Sequence, residues 1–170
     1  MRRVFLLGVA AVAFAAVGIA NAAVTKLGSA GSWNLYGGTT DSGKGVCSMS
    51  TSGKGLYFGV KYYNGDNALT VQISHDDWKM KDGVKVKTTM KFDRESPWSV
   101  TATGFHMSDG DAAVEFEIPN KNIDGWLGEF AASNAMVLGF PDERSISDWK
   151  LDLGGTSSLI RSFGSCIKRL

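Results

Sequence analysis

From Trp33 onward, apolar and polar side chains alternate with a period of two, interrupted every few residues by glycine, asparagine or aspartate. Trp33 and Leu35 alternate with Asn34 and Tyr36, and Val46 to Met49 opens a second such segment. Ser52-Gly53-Lys54-Gly55 reads as a hairpin connection into Leu56, Phe58, Val60 and Tyr62. After Asn64 to Asn67, Leu69, Val71 and Ile73 continue the apolar face. The most regular stretch sets Val84, Val86, Thr88, Met90 and Phe92 against Lys85, Lys87, Thr89 and Lys91. Successive side chains of a strand point to opposite faces, so Val84, Val86, Met90 and Phe92 are expected inside and the lysines in water. Trp98 to Thr103, Val114 to Ile118 and Met136 to Phe140 supply further strands, and Pro119 ends one of them.

The pattern changes period twice. Trp126, Leu127, Phe130 and Ala131 are spaced for a short helix capped by Asp124. At the end, Trp149, Leu151 and Leu153 alternate with Lys150 and Asp152, then Gly154-Gly155 breaks the strand. Leu159, Ile160, Phe163, Cys166 and Ile167 form one stripe of an amphipathic helix that Thr156 or Ser157 is expected to cap. About nine strands and a terminal helix predict a mainly β fold, an antiparallel β-sandwich or distorted barrel in a single domain over 23–170.

The first residues carry a different pattern. Arg2 and Arg3 precede an unbroken apolar or glycine run from Val4 to Ile19, and Ala20-Asn21-Ala22 offers small residues at a signal-peptidase site. This reads as a signal peptide over 1–22, cleaved before Ala23; an uncleaved anchor is the competing reading. Ala23 to Ser32 is small and polar, and is read as a lead-in without an assigned strand. Losing Arg2 and Arg3 takes the 18 basic residues to 16 against 17 acidic ones, a net charge of about −1. A near-neutral chain has no global electrostatic reason to hold nucleic acid. No other stretch is long and apolar enough to cross a membrane. The expected location is periplasmic or secreted.

Export changes the meaning of Cys47 and Cys166, the only cysteines. In an oxidising compartment they pair most simply as a disulfide, and closing so long a loop is worth about 4–5 kcal/mol on the chain-entropy model. A reactive thiol or a metal pair is the alternative, but neither has a nearby histidine or a Cys-x-x-Cys partner.

Leu151-x-Leu153-Gly154-Gly155-Thr156, followed by the amphipathic helix, resembles the closing segment of the invasion-associated locus B family, small exported proteins of alphaproteobacteria with a β-rich fold. The resemblance spans roughly the last twenty residues together with the export signal and overall size. It implies an extracytoplasmic location and an envelope or host-interaction role. It implies no chemistry at particular residues.

Two function classes follow. Lys79, Lys81, Lys85, Lys87 and Lys91 place five positive charges in one hairpin, and Trp78 lies among them out of phase with any apolar face. Together they are a candidate binding surface for an anionic envelope component, or for a secreted or host protein. The plainer reading is a solvated strand face, its lysines discouraging edge pairing or bonding to Glu115 and Glu117 on a nearby strand. His75-Asp76-Asp77, with His106, is the one set that could serve a small exported hydrolase or metal-dependent enzyme. There is no Gly-x-Ser-x-Gly elbow and no His-Glu-x-x-His, so a polar loop explains the same residues. The sequence therefore favours a non-catalytic exported binding protein, with no catalytic residue, metal or cofactor assigned.

Overall fold

The structure is a computed structural model that describes residues 23–93, 95–143 and 146–170. The expected signal peptide, residues 1–22, lies outside the described residues. Ten antiparallel strands form one sheet: β1 (Val24–Ala30), β2 (Trp33–Thr39), β3 (Gly45–Gly53), β4 (Leu56–Tyr63), β5 (Ala68–His75), β6 (Lys85–Phe92), β7 (Trp98–His106), β8 (Ala112–Pro119), β9 (Ala135–Gly139) and β10 (Trp149–Asp152). Among the described residues two helices complete it, α1 (Asn120–Ala132) and α2 (Thr156–Ile167). The strand order is β1-β2-β3-β4-β5-β8-β7-β6-β9-β10. The fold is mainly β, as the alternation predicts, in one sheet that does not close.

Tight turns set the register. Lys54 and Gly55 both have positive φ, the two-residue connection whose twist matches the strands it joins. It aligns Gly53 with Leu56 and carries the pairing on to Val46 with Tyr63. One face of the sheet then collects Leu35, Met49, Val60, Val71, Phe116 and their neighbours, all buried. α1 and α2 cover that face, with Trp126 and Phe130 of α1 and Leu159, Phe163 and Cys166 of α2 buried. Trp33, Phe58, Phe92, Trp126 and Phe130 make a connected aromatic centre, each ring within 6.3 Å of another. Such edge-to-face and stacked pairs add about 0.5–1.5 kcal/mol each beyond the area they bury.

The sheet edges β1 and β10 approach each other at one end only. A side-chain carbon at Gly31 would collide with the carbonyl of Gly154, and one at Gly155 with the carbonyl of Ala30. Glycine is required at both, by the close approach and by positive φ. The disulfide Cys47–Cys166, Cα–Cα 6.0 Å, ties β3 to α2 over a separation of 119 residues.

Four local expectations change. Val24–Ala30 is strand β1, paired with β2 across a bulge at Leu27, and no mere lead-in. Small residues there carry no alternation because the strand is an edge, largely solvent-exposed. α1 starts at Asn120 after Pro119, without a side-chain cap, so Asp124 lies inside the helix. Likewise α2 begins after Gly155 in the left-handed region, with neither Thr156 nor Ser157 as a cap. Thr156 is buried and its hydroxyl bonds the carbonyls of Phe130 and Leu153, tying α2 to α1 and to the end of β10. Val84 is 36 % exposed and precedes β6, whereas Val86, Met90 and Phe92 are buried as the alternation requires.

Candidate functional site

The sheet's cleft-bearing end is built by two connections. The first leaves β5 at His75 and returns at β6. Asp76 N–H donates to Gly55 O at 3.0 Å and Trp78 N–H to His75 O at 2.9 Å. Gly83 N–H donates to Gly104 O and Gly104 N–H to Val84 O, both at 2.8 Å. A side chain at Gly104 would strike the backbone of Lys81, so this loop lies flat on β7 because position 104 is glycine. The second connection runs from Phe140 to Trp149 through turns closed by Glu143 N–H to Phe140 O and Ile146 N–H to Glu143 O.

Between these connections lies a cleft of about 910 Å³. That is within the range of about 300–1,000 Å³ usual for small-molecule sites. Trp78 stacks on Trp149, centroids 4.9 Å apart and planes 22° apart. Phe140 meets both edge-on, at 5.4 and 5.5 Å, and His75 leans on Trp149 at 5.3 Å. Met80, Val86 and Ile146 complete the apolar lining. Around it stand Asp77, Lys79, Lys81, Asp82, Glu143 and Ser147. Among the described residues, Lys79 and Lys81 have no ion-pair partner.

The five lysines do not share one surface. Lys79 and Lys81 line the cleft, while Lys85, Lys87 and Lys91 project from the outer face of β6. β6 is an interior strand between β7 and β9, so its lysines guard no sheet edge. Nor do they meet Glu115 or Glu117, since β7 separates β6 from β8. Lys85 Nζ donates to Thr103 Oγ1 at 2.7 Å, and Lys87 Nζ lies 3.0 Å from Asp142 Oδ2. Trp78 is half-buried, packed on Trp149 and Phe140, and less exposed than its polar sequence neighbours suggested.

His75 and His106 sit on the same face of the sheet, on β5 and β7 with β8 between them. At a strand spacing of about 4.8 Å, their backbones are roughly 10 Å apart. Each histidine has its own carboxylate: His75 Nδ1 accepts from Asp77 N–H at 3.1 Å, with the Asp77 carboxylate at 3.8 Å. His106 Nδ1 is 2.6 Å from Asp82 Oδ1. His75 lines the cleft and His106 does not. Asp76 points to neither histidine; its side chain lies against Gly55. Among the described residues, no group of three or more His, Cys, Asp or Glu could hold a metal ion.

The outer face of the sheet holds a second polar arrangement that sequence alone did not single out. Lys61 Nζ donates to Gln72 Oε1 at 2.5 Å, and Gln72 Nε2 donates to Glu115 Oε2 at 3.1 Å. Burial lowers the Lys61 pKa, against the opposing pull of Glu115. Tyr57 lies across Gly59, and burial, then the phenols of Tyr63 and Tyr36, push its pKa up to about 12. Which of these residues touch depends on pairing β5 with β8, 40-odd residues away.

A single curled antiparallel sheet, covered on one face by a helix pair and closed by a β-strand, a Gly-Gly turn and a terminal helix, defines the architecture. Neither a protein-family model nor a curated protein matches the chain. Among solved structures it is similar to the crystal structure of invasion associated protein B from Bartonella henselae, with a TM-score of 0.55 and 11 % sequence identity. The match covers 85 % of this chain and 99 % of that one, so the fold likeness extends well beyond the closing segment that first suggested it.

Proposed function

We propose that the chain is an exported, non-catalytic binding protein that acts at the bacterial envelope or on a secreted or host partner. The observation that carries this reading is the cleft, where stacked Trp78 and Trp149 are flanked by Lys79 and Lys81. Half-buried tryptophans beside charged side chains have the character of contact residues: they bury much apolar area and lose little rotamer freedom. The disulfide supports export, because such bonds persist in oxidising compartments. No helix among the described residues is long and apolar enough to span a membrane. The fold likeness to an invasion associated protein supports a role at the cell surface or toward a host. On this reading residues 1–22 are a cleaved signal and 23–170 one mature domain, with no cofactor.

The enzyme reading rests on His75 with Asp77 and His106 with Asp82. One experiment separates the two. A deletion strain is complemented with the wild-type gene or with the His75→Gln, His106→Gln double variant, and the exported protein's N-terminus is sequenced. The expected result is a chain beginning at Ala23 and a phenotype restored to within a few-fold of wild type. Losing a general acid or base removes about 10²–10⁴-fold. A loss of that size in a folded, exported double variant would replace this reading with the enzymatic one.

A further inference from the structure

We propose that the cleft between the His75–Val84 and Phe140–Trp149 connections is a saccharide site, its ligand a neutral oligosaccharide laid along the Trp78–Trp149 pair. This rests on the reading of the chain as a binding protein and names the class of ligand.

Among the described residues, the charged side chains around the cleft are Lys79 and Lys81 against Asp77, Asp82 and Glu143. Three acids interleaved with two bases repel a polyanion at one point and a polycation at another, so neither gains from the site as a whole. A ligand that donates and accepts at every position suits this rim, and a sugar hydroxyl does both. The ammonium groups of Lys79 and Lys81 donate, the carboxylates of Asp77 and Glu143 accept, and Ser147 can do either. The apolar lining points the same way. A pyranose ring presents a flat patch of C–H groups, and Trp78 and Trp149, both half-buried, line the cleft as one stacked aromatic surface. Burial of that patch against an aromatic surface supplies the non-polar part of the binding energy. Phe140, 3 % exposed, backs both indoles edge-on, so the platform is fixed before the ligand arrives. The backbone bonds at Asp76, Trp78, Gly83 and Ile146 fix the walls in the same way.

The test is a titration of the exported protein with maltotriose, cellotriose and triacetylchitotriose, each to millimolar concentration, followed by tryptophan fluorescence. Trp33 and Trp126 are fully buried and serve as a constant background. At least one trisaccharide is expected to give a saturable change. Trp78→Ala should weaken its affinity by about tenfold or more, the loss typical of a central aromatic contact. Because Trp78 also packs in the fold, Lys79→Gln and Glu143→Gln, whose side chains face the rim, are measured beside it and should weaken binding without changing the melt. Lys85→Glu, Lys87→Glu and Lys91→Glu together, on the outer face of β6, should leave the affinity unchanged. Absence of a response to all three sugars overturns the proposal. So does a response to a heparin-derived oligosaccharide, or to an apolar peptide, in place of the neutral sugars. In either case the binding-protein reading stands or falls separately, on the histidine double variant.

Discussion

The indole N–H of Trp33, at the start of β2, donates to the carbonyl of Asp152, at the end of β10, at 3.0 Å across 119 residues of sequence. It joins the two ends of a sheet that otherwise stays open, beside the mutual approach of Gly31 and Gly155. Trp33→Phe keeps an aromatic ring in the core but deletes this donor and leaves a small void. The expected cost is about 1–3 kcal/mol, read as a lowered urea midpoint with an unchanged slope. An unchanged midpoint would mean the two edges are held without this bond.

Cys47 and Cys166 join β3 to α2 near the same seam. Mass spectrometry of the unreduced protein should show a chain lighter by two hydrogens than its reduced form. Reduction, or the Cys47→Ala, Cys166→Ala pair, should lower stability by about 2–5 kcal/mol. Because the bond spans a separation of 119 residues, its loss should loosen the packing of α2 before the hairpin β3–β4.

Val84 and Phe92 stand in the same alternation yet differ in consequence. Phe92 is fully buried, edge-on against the stacked Trp126 and Phe130, so Phe92→Ala should cost about 3–5 kcal/mol. Val84 lies outside β6 and is 36 % exposed, so Val84→Ala should change stability by no more than about 0.5 kcal/mol. Parallel thermal melts of the two variants check both. A large effect at Val84 would mean that the cleft loop is part of the core.

These two residues show how far the pattern could be read. The period of two placed Val86, Met90 and Phe92 inside because each strand's own residues encode its faces. It could not say where the strand begins, since a loop residue adjoining a strand continues the pattern by chance. Strand neighbours lie beyond its reach too: β6 sits between β7 and β9, and local sequence contains nothing that pairs Lys91 with Val137. The cleft was half legible. Trp78 stood out because it broke the alternation, while Trp149 obeyed it and passed for core. Their stacking arises from the meeting of β5's exit with β10's entry, which only the sheet order determines. The cysteine pairing needed no geometry, because two cysteines in a chain read as exported leave one partner each.

Tyr57 gives a pH dependence with a defined sign. Its folded pKa is raised to about 12 from 10, chiefly by burial. A raised folded pKa means the neutral phenol stabilises the fold fully below pH 10, and that contribution is lost as pH climbs through 10 toward 12. Lys61 works in the opposite sense. Its folded pKa is lowered, so its penalty is relieved as pH rises toward the ordinary lysine value. Tyr57→Phe isolates the first effect: it should flatten the fall in stability between pH 10 and 12. It should also remove a late-ionising phenol from a spectrophotometric titration. A Tyr57 phenol that ionises near pH 10 in the folded wild type would overturn this.

If the cleft makes the biological contact, substitutions should rank by their distance from Trp78 and not by charge or by closeness to a histidine. His106 lies outside the cleft, bonded to Asp82, so His106→Gln should change the complemented phenotype little. His75 leans on Trp149 through its ring, and Gln keeps a polar group of similar length there, so a change of a few-fold is expected. The triple reversal of Lys85, Lys87 and Lys91 to Glu shifts the local charge strongly but on the opposite face of the sheet, and should be tolerated if the variant melts normally. Trp78→Ala removes half of the stacked pair and should give the largest loss of the four. The reverse order, with the lysine variant inactive and Trp78→Ala active, would move the contact surface to the outer face of β6. Loss confined to the histidine variants would make the His–carboxylate pairs the working parts, because a binding surface has no use for an imidazole that it does not touch.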